Sequence, residues 1–386
     1  MAANDAPNGA LESLKTLVHS TVNLISRLET FLHSIAVDKA SDNNPPSSSE
    51  LSNPQSVYPL SLAHDSATLI RAHTTKLSLL IINEPFTPTA ITKVLRELVS
   101  GPIPALASAV QICDADRYTL VARQDLAWRC YRVLKELKSF VNIIPLDGKI
   151  LSNALKNGSK GDKGSMAATG VVWAACDDVI LLQKLGIAGL LVKKVEEYRD
   201  TLKDILEELK EYSEEVDEDD EEESDTDHAQ ADPLDNVTDQ IQNTHISTQQ
   251  MLDDLMNPRH IPRNDPDKIR ERLDSCLKRL RLTTLLYAAI VKRRLKLLPL
   301  LPTSNQTPIP QRLDEVFPLL KRLPNRFGEV ACAFYELDRD AIDRTMDSCF
   351  FDAFAASEML MKPWEGQRDE FTDWAEKFQV GIKKPD

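Results

Sequence analysis

The sequence predicts an all-α fold: two antiparallel helical bundles joined by an acidic disordered linker. Three observations carry this expectation. Apolar residues recur at helical spacing along most of the chain, and nowhere is there a sustained period of two. Only 12 of the 386 residues are glycine, few for a turn-rich β-fold. A run of eleven carboxylates between Glu214 and Asp227 then divides the apolar pattern in two. The expected domains are an N-terminal bundle over 10–213, the acidic linker over 214–232 and a C-terminal bundle over 233–380.

Each element has its own signal. Leu11 to Val37 carries the broad apolar stripe of a bundle helix, through Leu14, Val18, Ile25 and Leu32. Asp38–Ser56, with Pro45-Pro46 and a serine run, lacks that stripe and reads as a flexible loop. A second helix is expected over Leu60–Ile82. A third, capped by Thr87 or Thr89, should reach Cys113 but split at Gly101-Pro102-Ile103-Pro104, because each proline removes a backbone donor. Arg117 to Ile144 has two apolar rows, and Leu146–Ser165, with four glycines and four lysines, reads as a mobile loop.

The segment Ala167–Asp227 organises the rest. An apolar helix, Ala167–Leu182, should break near Lys184-Leu185-Gly186 and restart as Ala188–Tyr212. In the second part Ala188, Val195, Leu202 and Leu209 recur every seven residues. So do Leu191, Tyr198, Ile205 and Tyr212, which makes an a/d seam over four heptads. Past the acidic run, Leu234–Leu255 suits one polar helix and Asp267–Leu298 a bundle helix. Arg312–Leu337 carries Pro318 and Pro324 and should be kinked or broken. Asp340–Met361 and Glu365–Phe378 close the chain with an aromatic cluster that includes Phe350, Phe371 and Trp374.

Composition narrows the function classes. The longest apolar runs fall far short of the ~20 residues of a membrane span. Met1–Leu17 lacks the basic-then-apolar order of a signal peptide. Six scattered cysteines with no C-x-x-C pair read as reduced core thiols, so neither metal nor disulfide is expected. A net charge of −14 argues against a nucleic-acid surface over the whole chain. No zinc-protease, nucleophile-elbow or nucleotide-binding motif occurs, and Gly158–Gly164 lacks the phosphate-loop spacing. Adjacent carboxylates such as Asp177-Asp178 point about 100° apart on a helix and read as solvated charges. An enzyme and a cofactor are therefore not expected.

Three features keep two readings each. The acidic run is a self-repelling linker, or a docking strip for basic partners in which Ser224, with Asp227 at +3, is a phosphorylation candidate. Lys292-Arg-Arg-Leu-Lys296 is a solvated helix end, or a nuclear-import signal or partner of the acidic run. The heptad seam is bundle core or a partner-binding face; small Ala188 and bulky Tyr198 and Tyr212 suit a core better. If this helix pair is the interaction surface, Trp173, Leu191, Val195, Tyr198, Leu202, Ile205 and Leu209 are the residues that carry it.

The order of motifs resembles the cyclin-D-binding (GCIP-like) protein family. Asp65-Ser-Ala-Thr-Leu-Ile70 with Leu77-Ser-Leu-Leu80 comes first, then Thr169-Gly-Val-Val-Trp-Ala-Ala-Cys176, then the charged helix Lys194–Glu215 running into the acidic tract. The resemblance covers most of the first 230 residues and, more loosely, Leu313–Val330. It implies an all-helical regulatory adaptor of cytoplasm and nucleus that restrains cell-cycle progression and transcription. Its implied partners are D-type cyclins and helix-loop-helix transcription factors, with no direct nucleic-acid or membrane contact. No basic segment precedes the helix pair, so contact with a helix-loop-helix factor would be inhibitory. A reading from a different class is a helical-bundle scaffold that links cytoskeletal components.

Overall fold

A computed structural model describes residues 5–37, 58–158, 164–214, 261–262, 264–302 and 308–383, and all the described elements are helical, as the apolar periods require. In chain order the helices are α1 (Asp5–Val37), α2 (Pro59–Ile82), α3 (Pro88–Ser100), α4 (Pro102–Ile112), α5 (Ala115–Tyr118), α6 (Leu120–Val141), α7 (Asn153–Asn157) and α8 (Ser165–Glu214). They continue as α9 (Ile269–Arg293), α10 (Ile309–Tyr335), α11 (Arg339–Met359) and α12 (Glu370–Ile382). The expectations for 38–56, for Leu234–Leu255, for the acidic linker and for Ser224 fall outside the described residues.

The chain forms two compact units, Met1–Val192 with Leu298–Asp314, and Lys193–Leu297 with Glu315–Asp386. Residues 193–214, which periodicity groups with the first bundle, lie in the second unit.

In the first unit α1 packs on α6 and α3, and α2 on α3 and α4. Their inward stripes, including Leu14, Ile25, Ile70, Leu95, Leu106 and Leu134, are fully buried. The split expected in the third helix falls at Gly101, between α3 and α4. The loop expected over Leu146–Ser165 holds a short helix instead, α7. Ser152 caps it by accepting from the Leu155 N–H, and the buried Leu151 donates its N–H to the Ile81 carbonyl at 2.9 Å.

The start of α6 shows how a distant residue completes a helix. Buried Thr119 has φ 100°, a region a threonine rarely adopts, and its hydroxyl accepts from the Ala122 N–H at 3.1 Å. Asp314 accepts from the Leu120 N–H at 2.7 Å and more loosely from the Val121 N–H at 3.4 Å. Three N–H groups that a helix terminus leaves open are thereby filled. Burial pushes the Asp314 carboxyl up to about 6, with a smaller push from Asp116 and against the pull of the two N–H groups.

A raised carboxyl stabilises the folded state below its ordinary value near 3.8, and that stability is lost as pH rises through about 6. Wild type should therefore gain stability over Asp314→Asn as pH falls from about 7 to 4.5, by up to roughly 2–3 kcal/mol. Urea melts of both proteins at several pH values measure it. A difference that does not change with pH would show that Asp314 titrates normally.

In the second unit α9 packs against α11 and α12, and α11 against α12. Of the two outcomes expected for the proline-bearing helix, a break does not occur. α10 runs unbroken from Ile309 to Tyr335 with Pro318 and Pro324 inside it. Pro324 has no N–H for the carbonyl four residues back, Leu320, and the buried Tyr287 hydroxyl donates to that carbonyl at 2.7 Å. Burial raises the Tyr287 pKa well above the usual phenol value, so the hydroxyl keeps its proton. Tyr287→Phe should cost about 1–3 kcal/mol in a thermal melt, because it leaves a buried carbonyl unpaired. An unchanged melting point would mean that another donor serves Leu320.

The cysteines are all free, and five are buried. Burial pushes Cys113, Cys176 and Cys276 up to about 12 and Cys130 and Cys349 higher still, which keeps these thiols protonated and inert. Cys332 corrects the expectation of six core thiols: it lies exposed on the outward stripe of α10 with Pro318, Lys321, Arg322, Asn325 and Glu329.

Candidate interaction surface

Helix α8 is where the sequence places the interaction residues, so the surface is built from it. The break expected near Lys184–Gly186 falls at Gly186, with φ 64° and ψ −178° inside an otherwise helical run. Glycine takes a positive φ without the Cβ penalty other residues meet. The first half of α8, up to Gly186, belongs to the first unit and buries Val172, Ala175, Cys176, Val179 and Leu182.

Polar ties hold this half of α8 on both flanks. Toward α2, the Thr169 hydroxyl, which donates to the Ser165 carbonyl, lies in hydrogen-bond contact with the Ser78 hydroxyl at 3.0 Å, and the Trp173 Nε1–H donates to Thr75 Oγ1 at 3.1 Å. The Gln183 amide donates to Ser61 Oγ at 3.1 Å. The Arg71 guanidinium lies 5.3 Å over the Trp173 ring and 3.2 Å from Asp177. Toward α6, Arg132 donates to Asp178 at 2.8 Å and Arg129 to the Asp178 carbonyl at 3.0 Å. The pair Asp177-Asp178 is thus not simply solvated. Its side chains diverge along the helix and each reaches an arginine on a different neighbour.

The second half, from Lys193, belongs to the second unit. The seam residues Val195, Leu202 and Leu209 are fully covered, Ile205 and Tyr212 nearly so. Tyr212 donates its hydroxyl to the Phe334 carbonyl at 3.2 Å and meets Tyr335 edge-on at 5.1 Å. Tyr335 in turn donates to Glu208 at 2.8 Å. Of the seven residues singled out by sequence, Trp173 and Leu191 lie in the first unit and Val195, Tyr198, Leu202, Ile205 and Leu209 in the second. Leu191 is fully buried, and only Trp173 and Tyr198 are half-buried and within reach of a partner.

One surface group was not singled out by sequence. Trp128, on the outer face of α6, is 47% exposed. It stacks on Tyr131, ring centroids 5.5 Å apart, and Tyr131 meets His33 of α1 at 5.2 Å. Arg132 and Lys135 follow on the same helix. The signal was legible: Trp128 falls between Ala127 and Cys130 of the apolar rows and belongs to neither. An exposed tryptophan backed by a second ring and flanked by arginine is the side-chain set that dominates interface energetics.

The second unit has a cavity of about 260 Å³ lined by Lys268, Arg272, Ser275 and Arg279 of the α9 side and Asp343, Met346 and Asp347 of α11. Arg272 is already spent on Asp343, through two bonds of 2.9 and 3.0 Å. Among the described residues no group of three or more His, Cys, Asp or Glu side chains could hold a metal ion. No described helix is long and apolar enough to cross a membrane.

The basic cluster Lys292–Lys296 is not uniformly solvated. Arg294 is 1% exposed and donates to the Leu360 carbonyl at 2.7 Å, the Met361 carbonyl at 2.9 Å and both oxygens of Asp369 at 2.6 and 3.0 Å. Its guanidinium also lies 4.3 Å over Phe371. One arginine thereby closes the C-terminal end of α11 and holds the N-cap residue of α12. The Arg294 guanidinium draws the Asp369 carboxyl down to about 2.

Residues 63–215 match a family model described as Grap2 and cyclin-D-interacting, N-terminal. The matched segment runs from α2 to the end of α8 and contains Trp128, Trp173 and the heptad seam. An uncharacterized protein of Schizosaccharomyces pombe is 29% identical over 147 residues, which is 38% of this chain and 42% of the relative. The chain thus spans about two-fifths of the length of the curated relative that it matches.

Proposed function

From a GCIP-like segment over residues 63–215, we propose that the chain is an adaptor that acts through protein–protein contacts, with a D-type cyclin as a partner. The family match carries this reading. The surface supports it: the matched segment presents an exposed tryptophan on a helix whose inner face is buried. In this reading the partner docks on the outer face of α6, around Trp128, Tyr131 and Arg132. The seam residues of α8 hold the fold, while Trp173 and Tyr198 are accessible without opening either unit. Restraint of the cell cycle and of transcription, contact with a helix-loop-helix factor, and residence in cytoplasm and nucleus belong to the same proposal.

Purified full-length chain mixed with a purified D-type cyclin tests it by titration calorimetry. Saturable binding is expected. Trp128→Ala should weaken it by at least 2 kcal/mol, about thirtyfold, as truncation of a central interface tryptophan does. The same variant should shift stability by only about 1 kcal/mol, the loss of one partly exposed ring stack. Binding unchanged by Trp128→Ala would move the contact elsewhere in 63–215. No binding by wild type would remove the cyclin reading.

A further inference from the structure

Four exposed cations on helix α9 and just past its end have no side-chain partner among the described residues, and we infer that this face is the docking site for the chain's own acidic run, Glu214–Asp227. Five cations at this helix or just beyond it are engaged. Arg270 donates to the Ile261 carbonyl, Arg272 pairs with Asp343, and Arg279 donates to the Ile382 carbonyl. Arg293 pairs with Glu370 and Arg294 with Asp369. Lys278, Arg281, Lys292 and Lys296 are different. All four are exposed, and among the described residues none has a hydrogen-bond or ion-pair partner.

Their spacing places them together. Positions 278, 281, 285 and 292 recur at three, four or seven residues and so share one face of α9, with half-exposed Leu285 in the middle, and Lys296 follows in the short turn just past the helix end. The helix macrodipole accounts for cations in the last turn, Lys292 among them, but not for Lys278 and Arg281 several turns earlier. A row of four unpaired cations is notable in a chain of net charge −14.

The occupant follows from charge and connectivity. The run Glu214–Asp227 holds eleven carboxylates and no cation. It starts at the last residue of α8 and ends 34 residues before Ile261, whose carbonyl Arg270 holds. A chain of that length reaches at most about 110 Å, and the face from 278 to 292 is about 21 Å long at helical rise, so the run is within reach. Because the run belongs to the same chain, its encounter with this face is intramolecular.

Carbodiimide cross-linking of the full chain, read by mass spectrometry on a mixture of isotopically light and heavy protein, tests this. At low salt, intrachain cross-links should join residues 214–227 to Lys278, Lys292 and Lys296 in preference to other exposed lysines such as Lys76, Lys93 and Lys377. Their yield should fall about tenfold near 0.5 M salt, where the Debye length shrinks to a few ångströms. Arg281→Glu, which keeps all three lysines, should lower the yield at low salt with an unchanged circular dichroism melt. Cross-links spread evenly over the exposed lysines, or only between light and heavy chains, would overturn the inference.

Discussion

Leu202→Asp should unfold the unit that contains residues 193–214, or lower its melting temperature steeply. Leu202 is fully buried in the α8 seam, between Val195 and Leu209, which are equally covered. Removing a buried leucine side chain costs roughly 2–5 kcal/mol when it is cut to alanine. The aspartate also brings a charge into a buried site. A unit of ordinary stability has about 5–15 kcal/mol in hand, so the sum approaches the whole. Glu197→Lys and Lys203→Glu, on the exposed side of the same helix, are the controls and should stay within about 0.5 kcal/mol. Circular dichroism melts of the three variants suffice. A folded Leu202→Asp protein with an unchanged melt would make the seam a surface rather than a core.

Arg294→Ala should be the second severe change, at roughly 3–5 kcal/mol. The truncation strips donors from the Leu360 and Met361 carbonyls and the paired cation from Asp369. It also removes the guanidinium from the face of Phe371. Lysine should rescue only part of the loss, since a single ammonium cannot span both Asp369 oxygens and two carbonyls in the arginine geometry. Carbon-detected NMR titration gives an independent reading. In the variant the Asp369 carboxyl should titrate well above the value near 2 that Arg294 imposes. Loss of less than 1 kcal/mol, with Asp369 still strongly acidic, would show that the arginine is dispensable.

The helices were legible because burial imposes a period, and the period survives in the sequence. Leu191, Val195, Leu202 and Leu209 were placed on one seam by spacing, and the fold buries all four. The splits at Gly101 and Gly186 were legible from glycine and proline chemistry alone. What stayed hidden depends on residues far apart in the chain. Tyr287 lies 33 residues from Leu320, and no local pattern announces that its hydroxyl will fill the carbonyl left open by Pro324. Asp314 caps α6 across 194 residues. The five-residue cluster at Lys292 reads as one basic patch in sequence, yet the structure splits it between a buried arginine and exposed lysines.

The candidate surface was less legible than the fold. Sequence pointed to the seam of α8 because regular apolar spacing is the strongest signal a helix emits, and that same regularity is what core packing produces. Trp128 gives a fainter signal, one large ring outside the apolar rows, and it gains meaning only when Tyr131 and His33 are found beneath it.

Hydrogen–deuterium exchange on the full chain, with and without a saturating D-type cyclin, separates these two surfaces in one experiment. Cyclin should slow exchange in α6 around residues 124–135 and leave residues 191–212 of α8 unchanged. Slowed or accelerated exchange confined to 191–212, with α6 untouched, would contradict this and make the heptad seam the surface that the partner reads.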